Sequence, residues 1–211
     1  MKVVAFNGSP HKEGNTYEAL KTVSNELETQ GIEVEIIHVG NKLIHGCIGC
    51  GQCARNRNER CSIETDDVNE WIQKMKDADA ILLGAPVYFS SIPGTMKSFL
   101  DRAFYVGMVN KGMFRHKVGA SVVAVRRSGG IPVFDQLNNY INFSEMIMPA
   151  SNYWNVAYGT TPGQILEDNE GMQIMRVLGK NTAWLMKVLE AGKPQVEAPA
   201  AERKTFMNFI R

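Results

Sequence analysis

Lys2-Val3-Val4-Ala5-Phe6-Asn7-Gly8-Ser9-Pro10-His11-Lys12-Glu13-Gly14-Asn15-Thr16 runs from an apolar, β-branched segment through a turn-rich loop into the start of a helical pattern. A buried strand that feeds a helix through such a loop leaves the first helical N–H groups unpaired and pointing outward. The helix dipole adds positive potential at the same place. Ser9 and Thr16 contribute hydroxyl donors and Asn15 an amide. Neither GxGxxG nor GxxxxGK[ST] occurs here, which disfavours a dinucleotide fingerprint and a Walker A loop; the polar loop suits a single phosphate, such as that of FMN. Taken alone, residues 2–16 also fit an ordinary strand–helix connection with an N-cap.

The rest of the chain has to agree. Its 211 residues allow one α/β domain with a full core. Lys and Arg number 23 against 22 Asp and Glu, a formal net charge of +1, so nothing marks the chain as a binder of nucleic acid or of a membrane surface. No apolar run approaches the roughly 18–20 residues that a membrane span needs. Residues 1–20 carry no signal-peptide pattern, because a strand starts at once and Lys12 and Glu13 interrupt any apolar core. The expected location is the cytoplasm, where cysteines are reduced, metal-bound or catalytic.

Periodicity predicts strands over 2–6, 32–39, 80–85, 118–125 and 150–157, and helices over about 16–30, 66–77, 95–105, 131–146 and 170–191. Residues 40–65 show no period, and a stretch of that length inside a compact domain is usually functional. The expected organisation is a domain over 1–191 with 40–65 as a cysteine-rich insertion. A tail over 192–211 follows, ending in Phe206, Phe209 and Ile210, as an arm docked on the domain or on a neighbouring subunit. Strands alternating with helices imply a doubly wound parallel sheet. In the flavodoxin-like order 2-1-3-4-5, ligands sit at the carboxyl ends of the strands, beside the reversal between the first and third. The loops after the first, third and fourth strands then converge.

Two of those loops carry further chemistry. Pro86-Val87-Tyr88-Phe89-Ser90 offers aromatic surface and backbone groups to a flavin ring, with Tyr88 or Phe89 as the flat contact. The same rings capping the core at a strand end is the plainer alternative. Arg126-Arg127-Ser128-Gly129-Gly130 sets cationic charge beside amides that can approach a ligand closely. An arginine here tunes a flavin potential, takes the phosphate of a nicotinamide nucleotide, or is simply solvated.

Together, GSPHKEGNT, APVYFSSIPGTMKSFLDR and the RRSGG loop resemble the NAD(P)H-dependent FMN reductase branch of the flavodoxin-like fold, over roughly residues 1–190. The resemblance implies that Ser9, His11, Asn15 and Thr16 hold the FMN phosphate. It also implies that residues from Pro86 through Ser90 contact the isoalloxazine and that the loop of Arg126, Ser128, Gly129 and Gly130 flanks it. His11 stands where such loops often carry Arg, with Lys12 as the alternative charge partner.

All four cysteines fall in one run, Cys47-x2-Cys50-x2-Cys53-x7-Cys61, interleaved with Gly46, Gly49 and Gly51. Three thiolates at this spacing can wrap one corner of a cubane and a fourth can close it. Zinc ribbons separate two CxxC pairs more widely, and disulfides are unusual in the cytoplasm. A set of reduced thiols is the alternative. The spacing also resembles the compact motif of the iron–sulfur flavoproteins, which implies a [4Fe–4S] cluster near FMN.

Other residues receive structural readings. His38, His45 and His116 lack partners at ligand spacing, with His45 next to the cysteine loop. Lys97 and Asp101 form an i,i+4 pair, Trp71 and Trp184 fall on core-facing helix positions, and Trp154 lies in the fifth strand near the ligand end. The expected activity is an FMN-dependent oxidoreductase that takes hydride from NADH or NADPH and passes electrons to a quinone, another small acceptor or a protein. No side chain is required as acid or base for hydride transfer. The alternatives are an iron–sulfur flavoprotein carrier that exchanges electrons with ferredoxin-like partners, and a regulatory FMN-binding protein without turnover. A homodimer or homotetramer is expected from the resemblance.

Overall fold

The computed structural model of the chain describes residues 1–202 and 204–210. Strands β1 (Lys2–Asn7), β2 (Glu33–His38), β3 (Ala80–Pro86), β4 (Val118–Val125) and β5 (Val156–Tyr158) form one parallel sheet in the order β2-β1-β3-β4-β5. The flavodoxin-like expectation is met. Helices α1 (Asn15–Glu28) and α6 (Asn169–Gly192) cover one face, while α3 (Val68–Asp77), α4 (Gly94–Val109) and α5 (Gly130–Phe143) cover the other.

The inner strands read as unbroken apolar runs because both faces are buried and alternate residues supply different cores. Val3 and Ala5 pack with Ala80, Leu82 and the α1 and α6 side chains. Val4 and Phe6 pack with Ile81, Leu83 and the opposite helices, where Phe6, Trp71 and Phe99 form an aromatic cluster. At edge strand β2, Glu33 and Glu35 alternate outward, which blunts the open edge.

Four readings change. The fifth strand is three residues long rather than 150–157: Ile147 makes an isolated bridge to Val118, and the chain leaves the sheet at Pro149, which lacks a ladder donor. Before the chain rejoins at Val156, the Asn155 side-chain amide donates to the Ser121 carbonyl at 3.0 Å, where a strand backbone would otherwise pair. Trp154 therefore lies before the strand, exposed, and away from its carboxyl end. Trp184 also faces solvent, whereas Trp71 is buried. The cysteine segment contains one short helix, α2 (Gln52–Asn56).

In the tail, Arg115 Nη1 donates to the Pro199 carbonyl at 2.9 Å and the Lys204 ammonium lies 4.6 Å from the Phe143 ring. Phe206, Phe209 and Ile210 remain exposed, so these apolar ends are not covered by their own domain. Arg203 and Arg211 of the tail lie outside the described residues. No helix among the described residues is long and apolar enough to cross a membrane.

Candidate functional site

The loop after β1 is built by Asn7, a residue that sequence reasoning passed over. Its side-chain oxygen accepts from Ser9 N at 3.0 Å and its amide donates to the Lys12 carbonyl at 3.1 Å, folding residues 8–12 back as an Asx turn. Ser9 Oγ accepts from His11 N at 3.2 Å, and His38 Nε2 meets the Ser9 carbonyl at 2.8 Å, a contact in which the ring N–H donates. Gly8 N donates to the Gly84 carbonyl at 2.8 Å, and a β-carbon on Gly8 would stand 2.8 Å from Met96 Cγ. The loop is thus fixed from β2, β3 and α4 together. It delivers the chain into α1, whose N-cap Gly14 provides no side-chain bond, so no side chain caps the first turn.

Ser9 and Thr16 are buried beside that turn. They line one cavity of about 150 Å³ with His11, Asn15, Pro86, Val87 and Arg126. Segments remote in sequence therefore meet at the carboxyl ends of β1, β3 and β4. A fourth segment joins them: Gly159, Thr160 and Pro162, just after β5. Asn15 Oδ1 accepts from Ile165 N at 3.3 Å, and a β-carbon on Gly159 would lie 2.9 Å from Asn15 Nδ2, so this loop closes on the α1 N-terminus. The Gly-Thr-Thr-Pro-Gly run at 159–163 was the available signal.

Other expected residues shape the rim without lining the cavity. Phe89 and Ser90 have φ of +49° and +58°, and Tyr88 and Ser91 exchange backbone hydrogen bonds at 2.9 Å each, a tight two-residue hairpin turn. The turn leaves Phe89 105% exposed and Tyr88 half-exposed. Gln136 of α5 fixes it, accepting from Ser91 Oγ at 2.8 Å. Gly129, at φ +87°, packs so closely on this turn that a β-carbon would meet Ser90 Oγ at 2.8 Å. Gly130 is buried against Val156, while Ser128 and Arg127 are exposed; of the two arginines, Arg126 faces the cavity. An uncapped helix start, two buried hydroxyls, an arginine and the apolar wall of Pro86 and Val87 fit a phosphate carrying a flat apolar group.

The four cysteines gather separately, against the outer face of α4. Cys47, Cys50, Cys53 and Cys61 line one cavity of about 20 Å³ with Arg102 and Tyr105. The two cavities share no lining residue. Gly49 and Gly51 take φ of +64° and +68°, which lets CIGCGQC turn back on itself so that its three cysteines line the same hollow. Cys50 Sγ lies 3.3 Å from Ser62 Oγ, and that hydrogen bond holds the Cys50 thiol below its ordinary pKa. Burial pushes the Cys53 thiol up.

Arg102, the last residue of the APVYFSSIPGTMKSFLDR stretch, is buried here and donates Nε to Cys61 Sγ at 3.3 Å. Burial opposes its charge, but the bonds to Asp66 and Cys61 outweigh that and hold the guanidinium above its ordinary pKa. Among the described residues, no three His, Cys, Asp or Glu side chains stand together as ligands for a single ion. Four thiols lining one hollow are the donor set that a multi-iron cluster takes, in which each sulfur binds a different iron.

The profile described as NADPH-dependent FMN reductase matches residues 1–161. An iron–sulfur flavoprotein of Methanocaldococcus jannaschii is 35% identical over 199 residues, covering 90% of this chain and 100% of the relative. An iron–sulfur flavoprotein of Methanosarcina thermophila is 26% identical, covering 92% and 99%. Among solved structures, the NAD(P)H:quinone oxidoreductase from Methanothermobacter marburgensis superposes with a TM-score of 0.61 at 17% identity, over 86% of this chain and 95% of that one. The fold, the strand-end cavity and these matches agree: the chain belongs to the NADPH-dependent FMN reductase family.

Proposed function

We propose that FMN occupies the cavity at the β1, β3, β4 and β5 loops, and that the chain takes hydride from NADH or NADPH and passes electrons to a quinone, another small acceptor or a protein partner. The observation that carries this reading is the convergence of Ser9, Thr16, Val87 and Arg126 on one strand-end cavity at an uncapped helix start. Ser9, Asn15, Thr16 and the α1 amides would hold the phosphate, with His11 beside them. Pro86 and Val87 would support the ring, and Arg126 would supply positive charge at the rim. Bound FMN supplies two-electron chemistry toward nicotinamide and one-electron chemistry toward other acceptors. The chain's own task is to bind, orient and exclude water, so no acid or base is assigned.

The cysteine nest favours a second reading, an iron–sulfur flavoprotein carrier in which Cys47, Cys50, Cys53 and Cys61 hold a [4Fe–4S] cluster and electrons are exchanged with ferredoxin-like proteins. The donor set and the names of the relatives support it. Arg102 lies eight residues into α4 from Gly94, about 12 Å along the helix at 1.5 Å per residue, which sets the scale between the β3 loop and the nest. Cys47 is exposed, so the nest opens outward, toward solvent or a neighbouring copy.

Anaerobic purification with visible spectra and iron and sulfide analysis tests both cofactors. Stopped-flow mixing then separates the functions. Rapid bleaching of bound flavin by NADH or NADPH supports the reductase, reduction only by a reduced ferredoxin supports the carrier, and tight FMN binding without reduction by either overturns both.

A further inference from the structure

Arg102 heads the fully buried side chains by volume, at 1% exposure. A guanidinium carries five N–H donors in a rigid planar fork. Here five contacts are made. Nε donates to Cys61 Sγ at 3.3 Å, Nη1 to the His45 carbonyl at 3.2 Å and Asp66 Oδ2 at 2.5 Å, and Nη2 to the Ile63 carbonyl at 2.9 Å and Asp66 Oδ1 at 3.0 Å. Every acceptor belongs to residues 45–66, the cysteine segment, and none to the sheet. Burying an ion pair is costly, and an apolar side chain of the same volume would fill the space at lower cost. What an apolar substitute would not supply is a fork that grips both ends of the loop and a cation against sulfur.

We propose that Arg102 is the positioning residue of the cysteine nest. It clamps the two ends of the loop and sets a fixed positive charge against the Cys61 sulfur, with Asp66 as the counter-charge that moderates it. This inference rests on the iron–sulfur reading of the four cysteines. Its consequence is a pair of opposite effects. Without Arg102, the Asp66 carboxylate stands uncompensated near Cys61, and adding an electron to the group held there becomes harder. Without the Asp66 charge, Arg102 is uncompensated and the same step becomes easier. A purely structural role for the pair would not give shifts of opposite sign.

The test uses full-length protein prepared without oxygen, as wild type, Arg102→Met, Arg102→Lys and Asp66→Asn. The readouts are iron and sulfide per chain, spectroelectrochemical potential of the iron chromophore with FMN followed separately, and protease cleavage within residues 45–66 of the chelator-treated chain. Arg102→Met is expected to weaken iron retention about 10- to 100-fold, as loss of an outer hydrogen-bond partner typically does. It should also move the potential to more negative values and speed cleavage of the loop. Asp66→Asn should move the potential to more positive values. Arg102→Lys should restore the potential toward wild type but not the resistance to cleavage, because an ammonium lacks the fork.

Potentials that stay put or shift in the same direction in both charge variants, with FMN bound, overturn the proposal. Unchanged cleavage and iron retention in Arg102→Met do so as well. Should Arg102→Met fail to fold, Asp66→Asn and Arg102→Lys decide by the same criteria. Wild-type protein without iron refutes the iron–sulfur reading and the charge role with it, while the cleavage assay still decides the clamp.

Discussion

Gly40 lies against Ser9 so closely that a β-carbon at position 40 would stand 2.1 Å from the Ser9 carbonyl oxygen. Gly40, two residues past the end of β2, therefore forms the back wall of the loop after β1, and its N–H also donates to the Asn7 carbonyl at 3.2 Å. Replacing Gly40 by Ala forces backbone rather than a flexible side chain to move. The expected result is a loss of about 1–3 kcal/mol in stability, together with weaker FMN binding. Thermal unfolding of the flavin-free chain and flavin titration measure the two effects; unchanged FMN affinity would disconnect this loop from the ligand.

Ser9 and Thr16 bring buried hydroxyls to the α1 N-terminus. A hydrogen bond to a charged group contributes about 1.5–3 kcal/mol, so Ser9→Ala and Thr16→Val should each weaken FMN roughly 10- to 100-fold. Riboflavin, which has no phosphate, should bind the variants and the parent alike. Fluorescence quenching of both flavins reports the difference. Equal losses for the two ligands would move the phosphate elsewhere.

Phe99 joins Phe6 and Trp71, at ring-centroid distances of 4.6 and 5.4 Å. Phe99→Ala should cost about 3–5 kcal/mol through lost contact and the cavity left behind. Trp71 is the buried one of three tryptophans, so its emission should shift to the red while Trp154 and Trp184, already exposed, change little. Urea unfolding followed by circular dichroism and fluorescence checks the magnitude and the location. A blue-shifted or unmoved spectrum would contradict the packing.

Tyr140 donates its phenol to Asp101, which also takes the Lys97 ammonium at 2.6 Å. Burial, and then the hydrogen bond to Asp101, pushes the Tyr140 phenol up to about 12. A folded-state value above the unfolded value of about 10 means that the protonated phenol stabilises the fold fully below that lower value. The contribution disappears as pH rises through the folded-state value. The stability advantage of the wild type over Tyr140→Phe should therefore hold at neutral pH and shrink between about pH 10 and 12. Paired denaturation curves across that range, with phenolate absorbance as a second probe, test the sign; an advantage that grows with pH would refute it.

Much of the site was legible because it is local. Residues 2–16 encode strand, loop and helix start within one contiguous stretch, and four cysteines within fifteen residues need no long-range pairing to be brought near one another. The doubly wound sheet followed from the alternation of elements, since crossover chirality leaves few topologies; the strand order and the meeting of the loops after β1, β3 and β4 came with the flavodoxin-like expectation. Phe89 was harder. Its residue type suggested a flat surface for a ring, but two successive positive φ values in the β3 loop turn it outward. The fifth strand was overextended because apolar spacing does not reveal that a side-chain amide, Asn155, substitutes for backbone in the sheet.

The amino-acid order by itself determined the doubly wound sheet, the strand, loop and helix start over residues 2–16 and the clustering of sulfurs, because each depends on neighbours in sequence or on a two-residue alternation. Tertiary structure alone decided that the loop at 159–162 closes on Asn15, that Gly40 walls Ser9, and that a charged residue in the middle of α4 points into the cysteine segment rather than solvent. The reason is physical. A helix presents Arg102 in the same way whether water or five acceptors await it, and those acceptors come from a loop more than thirty residues earlier in the chain, brought there only when the sheet and its helices have assembled.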